Sequence, residues 1–310
     1  MRATQIDADG VSREKQLDII RTVIFSDKIS RGEIAKLCGV SSMTVGKVIS
    51  ALIRAGLVRV EKAALGKGKN TELLSAADNI NILVFCFESQ KLSVTLSDTR
   101  ANVLFSHSQP VNDSIPYDSN IADLITSAYG HIERILREKL CAVSVISPDG
   151  IRSEDISVIN SIIPDFYIDV LADSREYTAD YMRENHSSKN LLFIRVGERV
   201  DLSLYCHGVE ISSRNAVAIP REQISVEKIA DILVNLSHII IPDMVILEPD
   251  RALATNDLLP SLKNEFGRKS RTSENDMPEF TLADKTPIAV LSAIKRATDR
   301  IIASLVGETE

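Results

Sequence analysis

Along the first 75 positions the apolar residues keep a helical period. From Arg13 to Phe25, Leu17, Ile20, Val23 and Ile24 recur at steps of three and four, the stripe of an amphipathic helix turned toward a core. Ser30-Arg31-Gly32-Glu33 then has the spacing of a capping box, in which serine and glutamate satisfy each other's orphan backbone donors. It predicts a second, short helix with Ile34, Ala35, Leu37 and Cys38 inward. Gly39 can end that helix in the left-handed conformation at no Cβ cost, and Val40 plugs the turn. Ser41 or Ser42 caps a third helix, MTVGKVISALIRAG, with Val45, Val48, Ile49, Leu52 and Ile53 inward and its end at Gly56. Leu57-Val58-Arg59-Val60 alternates as a strand, and Ala63 to Asn70 reads as a flexible tip before Glu72-Leu73-Leu74 returns.

Beyond Ser75 the strand signals arrive in a set. Asn81 to Phe87, Leu92 to Ser97 and Val103 to Ser108 are short β-type runs, followed by an amphipathic helix from Ile121 to Leu140 and a buried strand from Ala142 to Ile146. The same order returns as Leu191 to Val196, Asp201 to Cys206, Val209 to Ile211, a helix from Val226 to Ile240 and a strand from Met244 to Leu247. Partial second helices follow at Arg175 to Asn185 and Asn256 to Phe266, and Ile288 to Leu305 closes the chain as an amphipathic helix. Strand, strand, strand, helix, strand, twice over, predicts a duplicated α/β fold of two lobes, with a cleft where a small ligand would sit.

Charge divides at the same place. Residues 1–75 carry 13 lysines and arginines against 8 acidic residues, a net +5, whereas the other 235 residues carry 23 against 35, a net −12. Segments of opposite sign suggest different partners. The four cysteines, Cys38, Cys86, Cys141 and Cys206, are scattered singly with no ligand spacing, so they read as small buried hydrophobes in a reducing compartment. Cys206 and His207 are neighbours in a strand and point to opposite faces, so one ion would rarely take both, and no metal or cofactor is expected. No run approaches the roughly 18 apolar residues of a membrane span, and the N-terminus lacks a secretory pattern, so the expected location is the cytoplasm.

Helix, tight glycine turn and helix of these lengths match the helix-turn-helix arrangement, whose second member enters the major groove. Ser42, Met43, Thr44, Gly46 and Lys47 fall on the face that the inner stripe leaves free. Short hydroxyl side chains such as those of Ser41, Ser42 and Thr44 can bond base edges or phosphates, and Lys47 suits a phosphate. The glycines of Gly66-Lys67-Gly68-Lys69 let a hairpin tip approach a phosphate, with Lys67 and Lys69 supplying charge, so the tip reads as a wing. The alternative is a protein-interaction bundle whose lysines are merely solvated; the occurrence of every signal in order favours duplex DNA as the partner. The expected architecture is a winged helix-turn-helix over residues 1–75 followed by a two-lobed α/β domain over 76–310.

In this order of elements the chain resembles the ROK family (repressor, open reading frame, kinase), which implies a duplicated ribonuclease-H-like body of the actin-like ATPase superfamily. The implied lobes are residues 78–150 with the closing helix 288–305, and residues 151–285. Gly66 to Asn70, GKGKN, is similar to the family's G-R-G-R-P. Other family motifs are missing. Phe87-Glu88-Ser89-Gln90-Lys91 stands where the resemblance places a glycine-rich phosphate loop, and Gly197 is followed by Glu198, a carboxylate that would repel phosphate. Ser212 to Ser225 has neither the family's G-E-x-G-H sugar segment nor its zinc cysteines. Asp173, behind Ala172, falls where the family carries a catalytic base, although an aspartate ahead of a helix is more often an N-cap. Asp173, Arg175 and Arg214 are the candidates for ligand contact that the resemblance suggests.

The chain is accordingly read as a DNA-binding regulator, more repressor than activator, without enzymatic activity. The resemblance implies a sugar or sugar derivative as effector, and paired half-sites imply a homodimer or a dimer of dimers. Two alternatives stand beside this reading: a sugar kinase using ATP and Mg²⁺, and a constitutive DNA-binding protein whose large domain is only a dimerisation scaffold.

Overall fold

In the computed structural model of the chain the stripes of the first and third predicted helices become packed faces, whereas of the four residues expected inward on the second only Ile34 is buried and Leu37 is 71% exposed. The structure describes residues 6, 8, 10–65, 69–78, 80–87, 91–138, 140–147, 153–162, 167–171, 174–186, 188–196, 200–212, 224–237, 242–249, 257–271, 276–283 and 287–307. Two compact units arise, Met1–Ser174 with Ala293–Glu310, and Arg175–Ser292.

The first unit opens with helix α1 (Arg13–Phe25), a two-residue strand β1 (Ile29–Ser30), α2 (Arg31–Leu37), α3 (Ser42–Arg54) and a hairpin of β2 (Val58–Leu65) and β3 (Lys69–Ala76). β1 pairs with β3, giving a three-stranded antiparallel sheet in the order β1-β3-β2. Ile20, Val23 and Ile24 of α1, Ile34 of α2, Val45, Val48, Ile49 and Leu52 of α3 and Leu74 of β3 are all fully buried. The capping box forms as the spacing predicts: the Ser30 N–H donates to Glu33 Oε2 at 2.8 Å and the Glu33 N–H donates to Ser30 Oγ at 3.3 Å. Gly39 and Gly56 both take positive φ, +62° and +71°, and end α2 and α3 where no other residue would do so without strain.

The hairpin is longer than expected. β2 continues through Ala63-Ala64-Leu65, which pair with Thr71, Asn70 and Lys69, so only residues 66–68 separate the strands. Lys69 is therefore a strand residue rather than part of a flexible tip.

The rest of the unit is a five-stranded sheet, β6-β5-β4-β7-β8, made of β4 (Ile80–Phe87), β5 (Lys91–Asp98), β6 (Val103–Pro110), β7 (Leu140–Ile146) and β8 (Tyr167–Leu171). The first three form an antiparallel meander, and β7 and β8 add in parallel after helices α4 (Tyr117–Glu138) and α5 (Ser153–Ile162). Leu83, Phe85 and Phe87 of β4 pack with Leu124, Ile125 and Ala128 of α4 in one core. β4 is buried along nearly its whole length, on alternating residues of both faces, the mark of a central strand in a covered sheet.

The second unit repeats this order. Strands β9 (Asn190–Val196), β10 (Val200–Cys206) and β11 (Val209–Ser212) form the meander, and β12 (Met244–Glu248) and β13 (Glu279–Leu282) add in parallel, giving β11-β10-β9-β12-β13. Helices α7 (Val226–Ser237) and α8 (Leu258–Ser270) cover one face through Ile229, Leu233, Leu262 and Phe266. Met182 of α6 (Ser174–Asn185) packs with Leu191, Phe193 and Ile246 in a separate core; α9 (Ile288–Leu305) closes the chain and belongs to the first unit from Ala293 onward. Identical strand order in both sheets bears out the duplicated α/β fold.

Three elements correct the expected plan. α5, β8 and β13 lie outside the elements that the hydrophobic pattern predicts, so each sheet has five strands instead of four. β8 pairs with β7 from Ala142↔Tyr167 to Ile146↔Leu171, which places residues 151–174 with the first unit and moves the expected lobe boundary at 150/151 past Leu171. Among the described residues no single helix is long and apolar enough to cross a membrane.

Leu52 is fully buried on the inner face of α3. Leu52→Ala is expected to cost about 2–5 kcal/mol, read as a lower urea midpoint for the N-terminal elements. A loss under roughly 1 kcal/mol would mean that this face is not close-packed.

Candidate nucleic-acid interface

The inner stripe of α3 decides what its other side can present. With Val45, Val48, Ile49 and Leu52 buried, the helix turns Ser42, Met43, Lys47, Ser50 and Arg54 to the exterior. Met43 is 76% exposed, a high value for a large apolar residue beside a good core. The chain bends by 117° between α2 and α3, within the range of helices joined by a tight glycine turn. Val40 closes the turn with its N–H on the Ala35 carbonyl at 3.0 Å.

The structure separates the roles of the three hydroxyls. Ser41 is the N-cap: its Oγ accepts from the Thr44 N–H at 3.1 Å and lies 2.9 Å from the Thr44 hydroxyl. Both side chains are thus engaged in holding the first turn. Ser42, the first helical residue, stays exposed and plays no capping role.

Lys47 is exposed, and its ammonium lies 3.7 Å from where a Cβ on Gly10 would stand, so the N-terminal segment passes beside it. That segment is tied down elsewhere in the same unit: Ile6 and Ala8 are buried, and the Ile6 N–H donates to the Leu305 carbonyl at 2.7 Å. Lys36 on α2, Arg54 on α3 and Lys62 on β2 add exposed positive charge. Periodicity alone would have found Arg54, which sits seven residues beyond Lys47.

Other basic residues of these elements hold the scaffold. Arg59 makes a two-pronged pair with Asp78 at 2.6 and 2.8 Å, Lys28 meets Glu61 at 2.6 Å, Arg31 meets Glu72 at 3.5 Å and Arg21 on α1 meets Asp299 on α9 at 2.8 Å. The Glu61 carboxylate raises the Lys28 ammonium above its ordinary value, chiefly through their hydrogen bond. Each of these four basic residues thus shares its charge with a nearby carboxylate.

Lys67 lies outside the described residues, and Lys69 is the first residue of β3. Asp173 and Arg214 also lie outside the described residues, as do positions 88–90 and 197–199. Arg175 is the second residue of α6. Among the described residues no group of three or more His, Cys, Asp or Glu is placed to hold a metal ion.

No family model matches the chain, and no curated protein matches it. Solved structures do. The crystal structure of a ROK family transcriptional regulator, a homolog of the E. coli MLC protein, superposes with a TM-score of 0.58 at 13% identity, over 95% of this chain and 98% of that one. The chain has the fold of that ROK family regulator. Further neighbours are a ROK family protein from Streptococcus pneumoniae TIGR4 in complex with sucrose (9% identity, 71% of this chain and 98% of that one, TM-score 0.45) and a ROK hexokinase from Thermus thermophilus (10%, 71%, 99% and 0.44). The ROK-type fold thus extends over the chain as the order of elements suggested.

The capping box offers a direct check on the helix ahead of α3. Glu33 is held below its ordinary value of 4.5, first by the Ser30 backbone N–H and then by the Ser30 hydroxyl. A depressed carboxylate stabilises fully above the unfolded value and loses that contribution as the pH falls through the folded one. Glu33→Gln, which does not titrate, is expected to melt below the native chain near neutrality, with the gap closing as the pH falls below 4.5 and through the depressed folded value. A gap that is independent of pH would show that the box does not act through its charge.

Proposed function

We propose that this protein is a DNA-binding transcription regulator. α2 and α3 form the helix-turn-helix, the β2–β3 hairpin is the wing, and the ribonuclease-H-like body dimerises and senses a small molecule. The observation that carries the reading is α3 itself: a helix capped by Ser41 and locked by five buried residues, yet presenting Met43, Lys47, Ser50 and Arg54 outward. A helix held this way has a rigid outer face of the size that enters a major groove. Exposed Lys36, Lys47, Arg54 and Lys62 supply the charge that phosphates require, with Lys67 and Lys69 at the wing. Residues 1–75 are proposed as the DNA-binding domain and 76–310 as the sensor and dimerisation body.

A single winged helix reads too few bases for a specific site, so a homodimer on paired half-sites is part of the proposal. Repression would follow from occupancy of an operator. A ligand acts on such a dimer only if it binds one arrangement better than another. Resemblance to ROK proteins makes a sugar or sugar derivative the class to try first, with Asp173, Arg175 and Arg214 as candidate contacts.

Kinase chemistry is not part of the proposal, because Phe87-Glu88-Ser89-Gln90-Lys91 lacks the glycines that a phosphate-binding loop needs and Glu198 follows Gly197. Nucleotide-dependent thermal shift tests this: ATP with Mg²⁺ is expected to leave the melting temperature unchanged, and a clear rise would restore an ATP-binding body.

Binding to mixed-sequence duplex DNA, measured by fluorescence anisotropy across a salt series, tests the main claim. Lys47→Ala, and Lys67→Ala combined with Lys69→Ala, are each expected to weaken binding to all sequences and to lower the salt slope by roughly one for every phosphate no longer neutralised. Unchanged affinity and slope in both variants would remove α3 and the wing from the interface.

A further inference from the structure

Two features of α3 have no use within the fold. Met43 holds a flexible apolar side chain 76% exposed in the first turn, where it adds nothing to the core and caps nothing. Gly46, three residues on and therefore its neighbour on the helix surface, occupies a helix interior, where glycine is the weakest former after proline. Packing does not require the glycine. A Cβ there would meet only the Arg31 guanidinium at 3.9 Å, an ordinary contact, and Gly46 has no positive φ. Alanine would fit against the Arg31 guanidinium and would favour the helix, so the glycine keeps the surface beside Met43 lower than packing demands.

The neighbouring hydroxyls narrow what could contact that surface. Ser41 and Thr44 are bonded to each other across the cap, which reduces their capacity to read donors and acceptors on base edges. The apolar feature that a major groove presents is the 5-methyl group of thymine. Exposed positive charge at Lys36, Lys47 and Arg54 on the same two helices is complementary to a duplex backbone, which fixes the kind of molecule that brings such a methyl to Met43.

We infer that Met43 and Gly46 together form an apolar reading slot for a thymine methyl group, Met43 making the contact and Gly46 clearing the approach. Methionine suits the task because its unbranched thioether chain adapts to a small apolar target. The inference rests on the DNA-binding reading above and deepens it by assigning a base preference to named residues.

The test begins with selection of bound duplexes from a randomised pool by the full-length native chain. Each thymine of the selected site is then replaced singly by deoxyuridine, which removes the methyl and keeps every hydrogen-bonding group. At one or more positions per half-site the native protein is expected to bind about fourfold more weakly, the effect of one buried methyl-sized group. That penalty is expected to vanish in Met43→Ala and to persist in Met43→Leu. Gly46→Ala is expected to raise the melting temperature by about 2 °C while weakening binding at least as much as loss of the methyl does. Failure to bind any duplex would overturn the DNA-binding reading and the slot with it. Selective binding without any deoxyuridine penalty, or a penalty that survives in Met43→Ala, would overturn the slot alone. Native-like affinity in Gly46→Ala would overturn the role given to the glycine.

Discussion

The inner stripe of α3 is the constraint on which the rest of the candidate interface depends. Val45, Val48, Ile49 and Leu52 are all fully removed from solvent. At roughly 1.5–3 kcal/mol for each buried aliphatic side chain, their burial stabilises by about 6–12 kcal/mol, an upper figure because an unfolded chain already hides some of this surface. That is comparable with the whole stability of an ordinary domain, so the helix cannot rotate about its axis without unfolding the head. Since 3.6 residues complete a turn, fixing the inner four positions also fixes Met43, Gly46 and Lys47 on the outside. The outward face is therefore a consequence of the core, and the Ser41 cap then sets where the helix begins.

The body follows a different constraint, the need to cover a sheet on both faces. β4 runs parallel to β7 and β9 runs parallel to β12, and a parallel neighbour requires a crossover long enough for a helix. α4 and α7 lie within those crossovers and place Leu124, Ile125, Ile229 and Leu233 in the cores. Because the two sheets solve the same problem with the same order, the duplication is a property of the hydrogen-bond registers as well as of the sequence pattern. In many such folds the turns between the first two strands carry phosphate chemistry. In this sequence Glu88 falls between β4 and β5, and Glu198 between β9 and β10.

What is legible in the sequence, and what is not, divides by the range of the interactions. Capping boxes, glycine terminators and the stripes of α1, α3 and α4 are local, and Ser30, Gly39, Gly56 and Leu52 all play the parts their spacing suggests. β1, β8 and β13 are strands of two, five and four residues that exist because distant partners accept their hydrogen bonds, Leu73 and Leu74 for β1, β7 for β8 and β12 for β13. No short-range pattern marks such strands, and without β8 the lobe boundary falls too early. The hairpin exceeds its expected length for a related reason: Ala63, Ala64 and Leu65 look like loop residues beside two glycines, yet cross-strand pairing with Lys69 to Thr71 carries the ladder through them. At the interface, outward positions can be read from the helical period, but the use of the Ser41 and Thr44 hydroxyls within the cap depends on a 2.9 Å contact that spacing does not reveal.

The division of charge completes the physical picture. A duplex attracts a head of net +5 and is repelled by the remaining residues at net −12, and both effects fade over about 10 Å at ordinary ionic strength. Close to the surface this opposition matters. Lysines and arginines that make ion pairs at the base of the head, such as Arg59 with Asp78 and Lys28 with Glu61, add little to a field felt by DNA, because each carries its counter-charge with it. In the proposed complex the exposed cations of α2, α3 and the hairpin would face the duplex, while the acidic remainder of the chain would disfavour it. In the proposed regulator this arrangement would limit sequence-independent binding to a small footprint. A larger share of the affinity would then come from contacts in the groove, the role proposed for the exposed methionine and its neighbouring glycine.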